Sequence, residues 1–341
     1  MRSLGAVPRA GRTAPWIGDD RGPSPRHGYH PGVPTLRSLS DGLATEVRDG
    51  ETLLAALVRA RVPVAHACGG LARCSTCRVR VVGGLDVCTP RTDDERALAT
   101  RLGLEDAVRL ACQTRATGDV EVRRLVLDPE DYELTTQFSA RPAGDGPPRA
   151  SMGREAPVAV LFADVVGFTG LSERLPAYDV VHVLHRWFHL ATAVVDGLGG
   201  RVDNYMGDGL LAVFAGEGPA PARAAVRAAL GLLDASDRMA AYLATAYGQP
   251  FAVRIGVHAG VVVVGSPTPW HRERDTVIGD VVNFASRIEA ANKALGSRLL
   301  VSDVVWADVA GEVVAGRRVE VEIRGKQGVH ALVEVLGLGS V

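Results

Sequence analysis

Three cysteines crowd one short loop and a fourth stands far from them. The run AHACGGLARCSTCRVRV places Cys68, Cys74 and Cys77 with five and two residues between them, and Cys112 follows in RLACQT. All five cysteines of the 341-residue chain lie between Cys68 and Cys112, so their ligand constrains the first third of the chain and none of the rest. Three thiolates on one loop plus one from a distant strand suit a two-iron, two-sulfur cluster, whose irons take four Cys. Gly69 and Gly70 serve such a loop, because a backbone wrapped round an inorganic core visits unusual dihedrals at least steric cost with glycine. A structural zinc is the rival reading, but zinc sites show two separated Cys pairs rather than three plus one. Cys88 stands outside the pattern and reads as a packing thiol.

The flanking pattern places this loop in a small α+β domain over residues 37–128. LATEV is strand-like, Asp49-Gly50 makes a turn, ETLLAALVRARV has helical spacing, and RVRVV and GDVEVRRLVL alternate. Residues 1–36 mix Pro, Gly and Arg without a hydrophobic period and read as a disordered tail. Residues 129–156 have the Pro and Gly content of a linker. A second domain, 157–338, opens on the buried-strand run VAVLFADVVGF and alternates strands and helices, which predicts helices packed on a mixed sheet.

Two segments of this second domain end a strand at an aspartate beside glycine. In LFADVVGFTGLSERL, Asp164 closes an apolar strand and Gly167, Phe168 and Thr169 lead into a helix, so a carboxylate and free helix amides share a corner suited to a metal-bound phosphate. In NYMGDGLLAVF, Asp208 sits at a hairpin tip between glycines, where backbone can approach a ligand. Each aspartate alone reads equally as a turn or cap residue; together they suggest a two-metal phosphoryl-transfer site. On the helix DVVNFASRIEAANKAL, Asn283 and Arg287 are four apart and share a face, and Lys326 sits on a tight loop after Gly325. His258 in GVHAG reads as structural.

The first domain resembles the 2Fe-2S ferredoxins, with the five-residue first gap of the adrenodoxin type. That resemblance implies a β-grasp fold, a cluster on Cys68, Cys74, Cys77 and Cys112, and one-electron chemistry. The phrases FADVVGFT, GDGLLAVF, GVHAG, IGDVVNFASRIE and IRGKQG resemble, in order, the class III nucleotidyl cyclases over about residues 156–337. The expected fold class is therefore α+β: a β-grasp ferredoxin domain followed by a cyclase α/β sandwich with a palm-like βαββαβ core. The cyclase resemblance implies that Asp164 and Asp208, helped by the Val165 carbonyl, bind two Mg²⁺ or Mn²⁺. It also implies that Asn283 orients the ribose, Arg287 stabilises the α-phosphate and Lys326 holds the β- and γ-phosphates. The product is a 3′,5′-cyclic nucleotide and pyrophosphate. The family works as a head-to-tail homodimer, so an isolated monomer is expected to be inactive.

Base choice in that family uses two positions, which fall here on Asn204 and Thr276. Thr276 fits the adenylate set. Asn204 lacks both the ammonium of the adenylate set and the carboxylate of the guanylate set, and an amide donates or accepts, so neighbours such as Tyr205 share the choice. The expectation is ATP, with GTP the alternative. A further alternative is an electron-transfer ferredoxin whose cyclase domain only binds nucleotide. A net charge of −1 sets nucleic-acid binding aside. The absence of an apolar run of membrane-spanning length or of a secretory signal leads to the expectation of a soluble cytoplasmic protein, with a possible redox partner for the iron-sulfur domain.

Overall fold

The computed structural model describes residues 33–127, 153–265, 276–323 and 325–339. Most of the predicted tail and linker, and Arg324, lie outside these residues. The N-terminal unit runs β1 (Thr35–Ser38), β2 (Leu43–Glu46), α1 (Leu53–Arg59), β3 (Arg78–Gly83), α2 (Asp93–Leu102), β4 (Val108–Leu110) and β5 (Val120–Arg124). The strands form one sheet in the order β2-β1-β5-β3-β4, with β1 parallel to β5 and the other pairs antiparallel. Alternation puts Val79, Val81, Val120 and Val122 on one face. Helix α1 lays Leu53, Leu54, Ala56 and Leu57 against that face, giving a β-grasp. Thr52 starts α1 by accepting the Ala55 amide. The next free amides, of Leu53 and Leu54, donate to the carbonyls of Thr114 and Ala111, which ties the helix start to the segment carrying Cys112.

The C-terminal unit continues with β6 (Arg154–Val165), α3 (Phe168–Arg174), α4 (Ala177–Gly197), β7 (Arg201–Met206), β8 (Gly209–Ala215), α5 (Ala220–Tyr247) and β9 (Val253–Gly265). After β9 come β10 (Thr276–Ile278), α6 (Asp280–Leu295), β11 (Leu299–Ser302), α7 (Asp303–Val309), β12 (Val313–Glu322) and β13 (Val329–Leu338). Its sheet has the order β12-β13-β11-β9-β6-β8-β7, with β10 paired to β9. Only β9 and β11 run parallel among the described pairs. Ala159, Leu161 and Ala163 of β6 pack towards α4 and α5. Val158 and Val160 face the opposite side, with Val277 of β10 and Val281 and Ala285 of α6.

Helix α6 lies unusually close to the sheet. A methyl group at Gly256 of β9 would stand 2.2 Å from the Glu289 amide nitrogen and 2.5 Å from the Ala285 carbonyl oxygen. Only a residue without Cβ admits the helix there, which fixes where Asn283 and Arg287 emerge.

Three differences from the sequence reading stand out. Strand β1 already contains Thr35 and Leu36, assigned by composition to the tail, because Leu36 is fully buried against the sheet. Strand β6 begins at Arg154 rather than 157, since the long β9 offers partners as far as Val264. Helices α2 and α7 and strand β4 were not anticipated. Neither α4 nor α5 is apolar enough to cross a membrane, and the same holds for every helix among the described residues.

Candidate functional site

The cysteine loop turns sharply, with Gly69, Gly70 and Ala72 at φ of 67°, 89° and 56°. Those turns aim backbone amides at sulfur: Cys68 accepts from Gly70, Leu71 and Arg73, and Cys112 from Ala72. The thiols close into two pairs. A hydrogen bond from Cys74 draws the Cys68 thiol down to about 5, and the same bond with burial pushes Cys74 up. Likewise Cys77 draws Cys112 down to about 7 while its own thiol is pushed up. No three His, Cys, Asp or Glu side chains among the described residues converge on a single ion. Two pairs fit a two-iron cluster, in which each iron takes two thiolates, better than one tetrahedral zinc. Cys88 is half-buried away from the pairs and donates to the Gly84 carbonyl at 3.3 Å.

Asp164 is the last residue but one of β6, and Asp208 sits in the two-residue turn between Met206 and Gly209, where Gly207 at φ 63° closes the hairpin. The two carboxyls are hydrogen bonded to each other, and both receive the Val165 amide. Burial raises both pKa values, and for Asp164 the Asp208 charge raises it further. Arg254, opposite Asp164 on β9, offsets this only in part, and two carboxylates held together in this way are the kind of oxygen donors that suit a divalent cation. Gly167, at φ 70°, caps α3, leaving Gly167 and Thr169 exposed and Phe168 packed on the core.

Asn283 and Arg287 stand on α6 as the spacing requires, Asn283 exposed and Arg287 beside the loop at Gly325. Lys326 is ion-paired with Asp280, and its Nζ lies 4.9 Å from the centre of the Phe284 ring. Among the described residues, no hydrogen bond or ion pair joins Asp164 or Asp208 to Asn283, Arg287 or Lys326. Asn204 is exposed on β7, and Thr276 on β10 reaches across to Asp203. The Tyr205 hydroxyl is instead 2.6 Å from Thr192 on α4, so it serves that helix rather than Thr276.

Sequence reasoning missed three polar residues at this end of the sheet. Arg254 pairs in register with Asp164 and forms an ion pair with Glu289 at 3.3 Å. Burial first, then the Asp164 charge, pushes Glu289 up to about 7. Asp203 is the third. Glu289 was detectable, because it falls on the buried stripe of α6 with Ala285 and Ile288.

His258 is hydrogen bonded to Ser302 through Nδ1 at 2.8 Å and stacks edge-on to Phe284. Burial, aided by the Lys326 charge, pulls its pKa down to about 4. The folded state therefore holds a neutral ring while the unfolded chain takes a proton near 6.5, so stability is lost as pH falls from 6.5 towards 4. At about 1.4 kcal/mol per unit, roughly 2 kcal/mol should be gone by pH 5. Thermal melts of the protein and of His258→Asn between pH 7 and 5 check this: the variant should lose less. Parallel slopes would remove His258 as the cause.

An acidic pair at a strand end and hairpin tip, with a separate amide-and-cation face on one helix of the same sheet domain, is an arrangement that suits phosphoryl transfer on nucleotides. The chain belongs to the adenylate and guanylate cyclase catalytic domain family, whose model matches residues 150–333. Residues 38–117 match the 2Fe-2S iron-sulfur cluster binding domain. An adenylate cyclase of Anabaena cylindrica is 30% identical over 183 residues, which are 52% of this chain and 36% of that protein. Adenylate cyclase 1 of Rhizobium meliloti is 32% identical over 185 residues, 53% of this chain and 28% of that one. The chain thus matches about a third of the length of these relatives. The solved guanylyl cyclase Cya2 superposes with a TM-score of 0.50 at 27% identity, covering 55% of this chain and 95% of the other. The adenylyl cyclase CyaB from P. aeruginosa gives 0.50 at 23% identity, covering 54% and 95%, a likeness of fold.

Proposed function

We propose that the protein cyclises ATP to 3′,5′-cyclic AMP and pyrophosphate at sites assembled between two head-to-tail copies, under the influence of an iron-sulfur cluster on the N-terminal domain. The observation that carries this reading is the Asp164–Asp208 pair, two half-buried carboxyls with raised pKa values at a strand end and hairpin tip. Divalent cations held there supply positive charge for the attacking and leaving oxygens. The chain's own groups do the rest. Asn283 orients the ribose so that its 3′-oxygen lies in line with the α-phosphorus; the bond from 3′-oxygen to phosphorus forms, the bond to the β-phosphate oxygen breaks, and the hydroxyl proton is released. Arg287 stabilises charge on the α-phosphate oxygens, Lys326 steadies the β- and γ-phosphates, and the amides of Gly167, Phe168 and Thr169 add donors to phosphate. The dimer is supported by the family to which the catalytic domain belongs. The relatives' names and Thr276 support ATP.

Bound to Cys68, Cys74, Cys77 and Cys112, a cluster supplies one-electron chemistry. One contact supports coupling to the catalytic domain: Arg73, inside the cysteine loop, pairs with Glu155 of β6 at 2.5 Å. A partly exposed pair of this kind is worth at most about 1 kcal/mol, enough to bias a dimer but not to lock it.

The protein should be purified without oxygen, its cluster read by visible absorbance, and its activity on ATP and GTP measured with Mn²⁺ before and after dithionite. Cyclic AMP is expected to be the main product, at rates that differ between redox states. No cyclic product from either nucleotide overturns the enzyme reading; equal rates overturn only the redox control.

A further inference from the structure

Asn204 cannot by itself choose between purines, because its amide turns over to donate or accept as the ring demands. Its neighbour is held differently. Strand β7 bulges here: Val202 pairs with Ala212 and Asn204 with Leu211, so Asp203 is the extra residue and its side chain is re-aimed. That side chain is 1% exposed, with Arg201 Nη2 at 2.7 Å from Oδ1. The other oxygen, Oδ2, accepts the Thr276 hydroxyl at 2.5 Å. A threonine hydroxyl has one proton to give and two lone pairs. With the proton committed to a carboxylate, which only accepts, Thr276 Oγ1 presents lone pairs alone to anything bound beside it.

We propose that Asp203 is a positioning residue for base recognition, fixing the direction of the Thr276 hydroxyl so that the site takes a purine nucleotide with an amino group at position 6. This rests on the nucleotide reading given above. Adenine carries an N–H donor at position 6, whereas guanine carries a carbonyl oxygen there. The amino group donates to Thr276, while the carbonyl sets lone pair against lone pair. Asn204 can meet ring nitrogen 1 of either base by flipping its amide, so discrimination falls on the one group that cannot turn over.

The test uses the full chain, its Asp203→Asn, Thr276→Ser and Thr276→Val variants, and three triphosphates: ATP, GTP and purine riboside triphosphate, which lacks the amino group. An asparagine at 203 can donate to Thr276 and free its proton. Asp203→Asn should therefore lower the ATP-to-GTP ratio of kcat/KM about tenfold, mainly through KM, and shrink the advantage of ATP over the purine analogue by a similar factor. Thr276→Ser should keep the wild-type ratio and Thr276→Val lose it. Equal slowing on ATP and GTP in Asp203→Asn, with the ratio unchanged, would overturn the proposal and leave a structural role. If circular dichroism shows that this variant does not fold, an unchanged ratio in Thr276→Val overturns it instead. Displacement of a fluorescent ATP analogue by ATP and GTP is measured in parallel. Should wild-type protein form no cyclic product, the cyclase reading falls, and the displacement ratios still decide this one: GTP bound as tightly as ATP rejects it.

Discussion

Asp208→Ala should abolish cyclic nucleotide formation, by about a thousandfold or more, and a second dead variant should bring part of it back. Removing a ligand at a two-metal site forfeits several kcal/mol of transition-state stabilisation, at about 1.4 kcal/mol per tenfold. The loss should occur without unfolding, because the half-buried Asp208 side chain sits in a hairpin turn outside the buried core. Arg287→Ala should be equally silent. If each site takes its aspartates from one copy and its cations from the other, mixing the two variants forms heterodimers with one doubly defective site and one intact site. Random exchange makes half of the dimers mixed and half of their sites whole, so the mixture should recover about a quarter of wild-type activity. Activity no higher than the sum of the separate variants would place all the groups on one chain and reject the head-to-tail arrangement. The cluster absorbance should be untouched in both, and its loss from Asp208→Ala would show that the domains do not fold independently.

The parts of this site legible in sequence are those whose chemistry demands a fixed residue at a fixed spacing. The structure draws the thiols of Cys68, Cys74, Cys77 and Cys112 into two pairs, a grouping the three-plus-one spacing allowed, and Asn283 and Arg287 are neighbours on any α-helix whatever it packs against. Asp203 was hidden by the rule that reads strands: with strict alternation it lies on the opposite face from Asn204, and only the bulge after Val202 turns it towards Thr276. Gly256 shows the same limit, since its need for no side chain exists only once α6 is laid across β9. Helix α2 was missed because TDDERALATRL is too polar to display a period. Its start was nevertheless written in the chain, for Thr92 accepts the Glu95 amide at 3.2 Å in the spacing of a capping box.

That overlooked helix carries the largest stability effect expected in the N-terminal unit. Glu95 and Arg109 are 1% and 4% exposed. Glu95 accepts from Arg109 Nε and Nη2, both at 2.9 Å, and from the Leu110 amide at 2.8 Å. Arg109 also donates to the Thr89 carbonyl at 2.9 Å, so the pair joins α2, the segment before it and β4. From the same helix start, Thr92 donates to Gln113, which donates to the Gly70 carbonyl at 3.2 Å and to Cys112 Sγ at 3.6 Å. Helix α2 and its capping threonine thus brace the segment that carries Cys112. Glu95→Ala leaves a buried guanidinium and a backbone amide without their acceptor, which costs about 3–5 kcal/mol, a large share of the roughly 5–15 kcal/mol that holds a domain folded. Glu95→Gln keeps an acceptor for Leu110 and should cost clearly less. Thermal melts followed by cluster absorbance should therefore rank wild type above Glu95→Gln above Glu95→Ala, with the cluster bleaching at a lower temperature in each step. A Glu95→Ala protein that keeps its colour to the wild-type temperature would show that Cys112 is held by the cluster alone and owes nothing to α2.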